Sequence, residues 1–317
     1  MGAGEMQRFL VGLVTAMFFL SALPAGAAEA PVLRTAASSV AQLVAEVAQS
    51  HSRRAEPAPS TRIDKPVRVV RGRKIVNVPQ LCRDARGRYD VVVHFHGAPE
   101  MIEPVFQRAA LDAVFVVVNL GIGSGPYEDA FLQDGSLGRL LDEIDQVVDK
   151  TCPHPTGSRG RVALSAWSAG YGATYRVLAS KNDRELVDAI LLADGLHAGF
   201  LDKFRQKINE QQMAPFADFA ERAARGEKLF GITHTSIVTP SYASTSETAR
   251  YLTGKLGIET QQVSEDGPRA SMTLGVRADR GDFHVRGYGG KDTDAHCDHL
   301  YAMGDTLYPM LRERWAR

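Results

Sequence analysis

Five short runs of this chain are almost wholly apolar: residues 89–95, 113–118, the run ending at Ala166, 187–193 and 229–233. Each is separated from the next by a segment with helical spacing. Runs without polar alternation belong to strands buried on both faces, which is the situation of a mostly parallel sheet covered by helices. Between the runs, a short helix is expected over 104–110. A strong stripe follows at Leu137, Leu140, Leu141, Ile144, Val147 and Val148, then a helix from the segment after Ser168 to about Ser180. Further helical segments are expected over 200–209, 216–224 and 245–256, and a last helix carries Leu300, Met303, Leu307 and Leu311. Two hairpins add antiparallel strands. One joins 67–70 to 74–78 through Arg71-Gly72-Arg73, and the other joins 272–277 to 283–288 over residues 279–282.

The third run ends in Ala166-Trp167-Ser168-Ala169-Gly170, after which a helix-forming segment begins. A strand, a sharp turn and a helix in that order lift a nucleophile above the sheet, and the positions two before and two after it must be small. Here they are Ala166 and Gly170, so the pattern is A-x-S-x-G in place of the commoner G-x-S-x-G. The turn would expose the Ser168 hydroxyl and aim the following N–H groups at a developing negative charge. The bland alternative is a buried strand followed by a small-residue helix start.

With the hairpin, the strand–helix alternation and the elbow together, residues from about Val67 to the C-terminus resemble an α/β-hydrolase. The resemblance implies a mostly parallel central sheet opened by an antiparallel hairpin, with helices on both faces. It also implies a chain order of oxyanion loop, serine elbow, acid and histidine. His94-Phe-His96-Gly97-Ala98, where a strand ends, is similar to the oxyanion loop, with the N–H groups of Ala98 and Ala169 as donors and Gly97 allowing the close turn. A base is needed because a free hydroxyl is a poor nucleophile. The candidates are His296 and His299, and His296, nearer the loop and helix start, is preferred; His284 lies within a strand. The usual acid position after the strand 229–233 holds no carboxylate. Asp194, at the end of the preceding strand, is taken as the acid that orients the imidazole, its alternative being a turn aspartate before Gly195. Trp167, Tyr171 and His197 are expected to line the substrate pocket, with His234 a possible rim residue. Asn119 to Tyr127 is read as a flexible rim loop, since no lysine sits where a phosphate-binding loop needs one.

The opening segment reads as an address. Arg8 precedes an apolar run to Leu23, and Ala25-Gly-Ala27-Ala28 offers a cleavage site, so 1–28 is expected to be a signal peptide. Residues 29–61 then form a peripheral helix and linker, and 62–317 the hydrolase domain. Export to the periplasm or beyond makes a bridge between Cys82 and Cys152 reasonable, against the alternative of free thiols; Cys297 is the third cysteine. Lys+Arg and Asp+Glu both number 37, so no net field draws the protein to nucleic acid or an anionic membrane. The function implied is an exported serine hydrolase of carboxylic esters, small or polymer-linked, with no cofactor, no metal and no membrane anchor after cleavage. A peptidase or amidase with the same triad is the nearest alternative. A catalytically silent binding protein is another, for which the Arg280-Gly-Asp282 tripeptide is a possible adhesion signal. A metal hydrolase using His94, His96, Asp294, His296, Asp298 and His299 is the third.

Overall fold

The computed structural model describes residues 66–79, 88–152 and 158–317. The expected signal peptide, the linker and Cys82 lie outside these residues. In chain order come strands β1 (Val67–Arg71), β2 (Lys74–Val78) and β3 (Tyr89–Phe95), helix α1 (Pro99–Arg108) and β4 (Val114–Val118). Next are α2 (Gly125–Ala130), α3 (Ser136–Thr151), β5 (Arg159–Trp167), α4 (Tyr171–Ala179), β6 (Ala189–Ala193) and α5 (Glu210–Ala224). The chain continues through β7 (Leu229–His234), α6 (Thr245–Lys255), β8 (Gln261–Asp266) and β9 (Thr273–Arg280). It finishes with β10 (Phe283–Tyr288), α7 (Thr293–Tyr301) and α8 (Leu307–Ala316).

The described strands form one sheet in the order β1-β2-β4-β3-β5-β6-β7-β10-β9-β8. The six strands from β4 to β10 in that order run parallel, and antiparallel pairs flank them at both edges. This is the α/β-hydrolase arrangement. Alternation through the sheet explains the uninterrupted apolar runs. Val91, Val93 and Phe95 pack into the core on one face, while Val92 joins Phe115, Ile102, Val105 and Tyr308 on the other. On the first face α3 buries Leu137, Leu140, Leu141, Ile144, Val147 and Val148. Its N-terminus has no side-chain cap. Burial of those six side chains, of order 10 kcal/mol gross, holds the helix instead.

Chain order places the site. From β3 the chain crosses to β4 on one side, and β5 then lies on β3's other side. Such a switch point opens a crevice at the carboxyl ends of the strands. The register sets Phe95 beside Ala166, Trp167 beside Ala193, and Ala193 beside Thr233. The turns after β3, β5, β6 and β7 therefore leave from one edge.

Several expected elements are corrected. Residues 200–209 are not helical but form a loop closed by a bridge between Phe200 and Ile208. The carboxylate of Asp202 accepts the N–H groups of Phe204, Gln206 and Lys207, taking the backbone away from a helix. The helix expected over 104–110 starts at Pro99, which fits the first turn. The expected rim loop contains the short helix α2, the helix at 216–224 begins at Glu210, and the last helix is two, α7 and α8. Strand β8 has no counterpart among the expected elements; it is an exposed polar edge strand without apolar alternation. No helix among the described residues is long and apolar enough to cross a membrane.

Candidate active site

Three parallel strands end in residues with left-handed backbone: His96 (φ 71°) after β3, Ser168 (φ 49°) after β5 and Asp194 (φ 43°) after β6. This region is sparsely populated for side chains larger than glycine, and structures that hold it hold it by surrounding contacts. The His96 N–H is fixed by the Val118 carbonyl at 3.1 Å, and that of Asp194 by the Thr233 carbonyl at 2.8 Å. The serine turn is clamped on two sides. A Cβ on Gly170 would stand 2.2 Å from the Phe95 carbonyl oxygen, and one on Gly195 would stand 2.7 Å from the Ser168 nitrogen. Only hydrogen fits at either place. The turn after Asp194 is thus pressed directly against the backbone of Ser168.

His296 sits in the first turn of α7, whose N-cap Asp292 accepts the Ala295 N–H at 2.9 Å. Its Nδ1–H donates to Asp194 Oδ2 at 2.6 Å. The other oxygen, Oδ1, accepts from the Thr235 N–H (2.9 Å), Thr235 Oγ1 (3.1 Å) and Thr245 Oγ1 (2.5 Å). Asp194 is buried. Burial alone would raise its carboxyl pKa, but the hydrogen bond and electrostatic influence of His296, the electrostatic influence of His299 and the Thr245 hydroxyl together hold it well below the usual carboxylate range. With the proton on Nδ1, His296 Nε2 carries the lone pair. Ser168 is buried, and Gly195, the residue after Asp194, packs against its backbone. Among the described residues no hydrogen bond links Ser168 Oγ to an imidazole.

The loop expected to supply an oxyanion donor is pinned by a buried histidine. His94 Nε2 lies 2.8 Å from the His96 carbonyl, which can only accept, so Nε2 carries the proton. Nδ1, 2.9 Å from Ser165 Oγ, then accepts from that hydroxyl. Burial pushes the His94 pKa down to about 3, keeping it neutral. Gly97 has φ 112°, where a side chain would be strained, and Ala98 is the N-cap of α1. Ala169 lies in the one-turn helix 168–170 that opens α4. N–H groups at helix starts have no acceptor within the helix, so both Ala98 and Ala169 suit an anion. His96 is held by Tyr127, Nδ1 to Oη 2.9 Å, and burial pushes its pKa down to about 4. Its ring stacks at 5.1 Å on Trp167, whose ring is also 4.9 Å from His296.

Tyr171, His197 and Tyr242 form a second aromatic group, with ring centroids 5.5 and 5.0 Å apart along the series. His197 Nδ1–H donates to the Ala243 carbonyl at 3.1 Å, and burial holds its pKa at about 4 against the raising effect of Asp194. The remaining described histidines are engaged elsewhere. His299 is buried with Nδ1 2.8 Å from Thr233 Oγ1, His284 pairs with Asp279 at 2.6 Å, and His234 bonds the Thr235 carbonyl. The residues named for a metal, four of them on α7, do not converge on one point among the described residues. Both His94 nitrogens are occupied, Asp298 bonds Arg269 and Ser271, and no group of three or more suitable donors exists among the described residues. Nor is the Arg280-Gly-Asp282 tripeptide presented to a receptor. Asp282 is buried and paired with Arg314 at 2.7 Å, and Arg280 caps the carbonyls of Leu256 and Gly257. Cys297 is a free thiol.

Sequence reasoning did not find Thr235 and Thr245, which hold the acid, nor Tyr127, which backs His96, nor Tyr242. A hydroxyl residue just after a strand or at the start of a helix, as Thr235 and Thr245 are, carries no signal of its own. Tyr127 had one, as the lone aromatic closing a glycine-rich segment.

No protein-family model matches the chain, and no curated protein matches it in sequence. Among solved structures, esterase 2 of the Planctomycetes species Thermogutta terrifontis with propionate bound is similar at 13% identity, covering 77% of this chain and 94% of that one, with a TM-score of 0.42. TT1662 from Thermus thermophilus is similar to the same degree, at 13% identity, 77% and 94% coverage and a TM-score of 0.42. An uncharacterised protein from Capnocytophaga ochracea has 10% identity, 77% and 63% coverage and a TM-score of 0.44. These distant likenesses carry nothing about chemistry; the geometry of the site does.

Proposed function

We propose that the protein is a serine hydrolase that cleaves carboxylic esters through an acyl-enzyme. The observation that carries this reading is the Asp194–His296 bond at 2.6 Å, set against the strained turn of Ser168 by the contact of Gly195. In the reaction, Ser168 Oγ attacks the ester carbonyl while His296 Nε2 takes its proton. Asp194 stabilises the resulting imidazolium without taking the proton itself. The carbonyl oxygen, now negative, is received by the N–H groups of Ala98 and Ala169. Collapse expels the alcohol, which takes the proton from His296, and water then repeats the sequence in reverse to free the acid and Ser168. Among the described residues no hydrogen bond joins Ser168 to His296, and catalytic hydrogen bonds often tighten only once substrate arrives.

The test is labelling by a fluorophosphonate, followed by mass mapping. Wild type is expected to take one label at Ser168, and Ser168→Ala and His296→Ala none. Parallel assays of p-nitrophenyl esters and aminoacyl amides separate esterase from peptidase. A silent binding protein on this scaffold is the second reading, favoured by the absent serine–imidazole bond, and a folded, unlabelled wild type would establish it. Export by the segment 1–28, a small or polymer-linked ester as partner, and a Cys82–Cys152 bridge belong to the same proposal. Thiol counting on denatured secreted protein is expected to find one free thiol, and three would remove the bridge.

A further inference from the structure

We infer that Trp167 is a positioning residue that sets the distance between the two halves of the site, the oxyanion loop and the base; the inference rests on the acyl-enzyme reading. Trp167 ends β5, one residue before Ser168. Its indole lies nearly parallel to the His96 imidazole, 15° apart with centroids at 5.1 Å. The same indole packs on His296 at 4.9 Å and 31°, and its Nε1–H donates to the His296 carbonyl at 3.0 Å. His96 is fixed from behind by the buried Tyr127, and His296 by Asp194. Tyr127, His96, Trp167, His296 and Asp194 thus form an unbroken series of contacts from the segment after β4 to the end of β6.

The series joins the groups whose spacing matters to acyl transfer. One proposed oxyanion donor, Ala98, lies two residues after His96, the other, Ala169, two residues after Trp167 itself, and the base is His296. A displacement of about 1 Å between such groups costs on the order of 100-fold in rate. Tryptophan suits the task because it alone combines a flat apolar surface large enough to meet two rings with a single N–H donor. The indole N–H is spent on a backbone carbonyl of the helix that carries the base, which is a positional task and not contact with a substrate.

The test uses the full chain with Trp167→Phe and Trp167→Leu, each checked for folding by its thermal midpoint. On p-nitrophenyl butyrate, Trp167→Phe is expected to lose about tenfold in kcat, the worth of one hydrogen bond. Trp167→Leu is expected to lose about 100-fold, in both cases with KM within about threefold of wild type. Combining Trp167→Leu with His96→Ala should cost less than the product of the two losses, because both break the same link. A second readout needs no turnover: the imidazole Hε1 resonances of His96 and His296, both expected to be displaced by the indole ring that packs on them. Joint movement of the two signals in Trp167→Leu supports the link, whereas movement of one or neither overturns it. A raised KM with unchanged kcat also overturns it, making Trp167 a substrate contact. If wild type neither turns over nor takes the fluorophosphonate, the acyl-enzyme reading fails, and the resonance experiment alone decides the link.

Discussion

Replacing Asp194 by Asn changes one atom and reverses one hydrogen bond. Oδ1 remains an acceptor for Thr235 N–H, Thr235 Oγ1 and Thr245 Oγ1, so those three donors orient the new amide with its nitrogen at the Oδ2 position. That nitrogen can only donate. Facing it at 2.6 Å, His296 must present its lone pair at Nδ1 and carry its proton on Nε2. The base is then blocked while the shape of the site is kept. The same exchange in serine-protease triads lowers kcat about 10⁴-fold, or about 5.5 kcal/mol at 1.36 per tenfold. The fold loses far less. One charge-assisted bond becomes neutral, worth about 1–2 kcal/mol, and the buried position no longer holds a charge. Activity should therefore collapse in a protein whose urea midpoint moves only modestly. The assay is kcat/KM on p-nitrophenyl butyrate beside urea unfolding. A folded Asp194→Asn protein that keeps more than about a tenth of wild-type kcat/KM would falsify Asp194 as the orienting acid.

Three further outcomes are expected. Gly170→Ala drives a Cβ to within 2.2 Å of a backbone oxygen, so urea unfolding should show a loss of about 3 kcal/mol; a change near zero would mean that the elbow is not clamped. His94→Phe removes the donor to the His96 carbonyl and should lower kcat about 10- to 100-fold with KM little changed, as steady-state kinetics will show. Buried His94 and His299 have pKa values pushed down to about 3 and about 4, mainly by burial. Because the unfolded value is about 6.5, their contribution is complete above that pH and is lost as pH falls towards 4. For His299 alone the loss is about 3 kcal/mol, so urea midpoints should drop from about pH 7 to about pH 4, less steeply in His299→Gln.

The central sheet is legible in the order of amino acids because its strands are buried on both faces and leave no polar residue to disguise them. Val91, Val92 and Val93 go alternately to the two faces, and the run records both. Strand β8 leaves no such trace, since a sheet edge made of Gln261, Gln262 and Glu265 is held by backbone pairing and the Glu265–Arg277 ion pair, with no apolar alternation to record it. At 200–209 apolar spacing suggests a helix, but one carboxylate, that of Asp202, captures three backbone N–H groups and turns the chain. The site divides in the same way. Ser168, Asp194 and His296 can be named from chain order because each follows or precedes a recognisable strand or helix. The support given by Thr235, Thr245 and Tyr127 depends on distances across 41, 51 and 31 positions in sequence, which no local pattern records.

No residue intervenes between the end of β6 and Asp194, so the frame itself, and not a loop, carries the acid. Thr235 and Thr245 meet it from the two ends of another excursion. The stretch 200–208, closed on itself by the Phe200–Ile208 bridge, is tied by Arg205 to the Thr239 and Pro240 carbonyls and to Glu247, not to Asp194. Lengthening or shortening that stretch should therefore leave the Asp194–His296 pair where the sheet has bolted it.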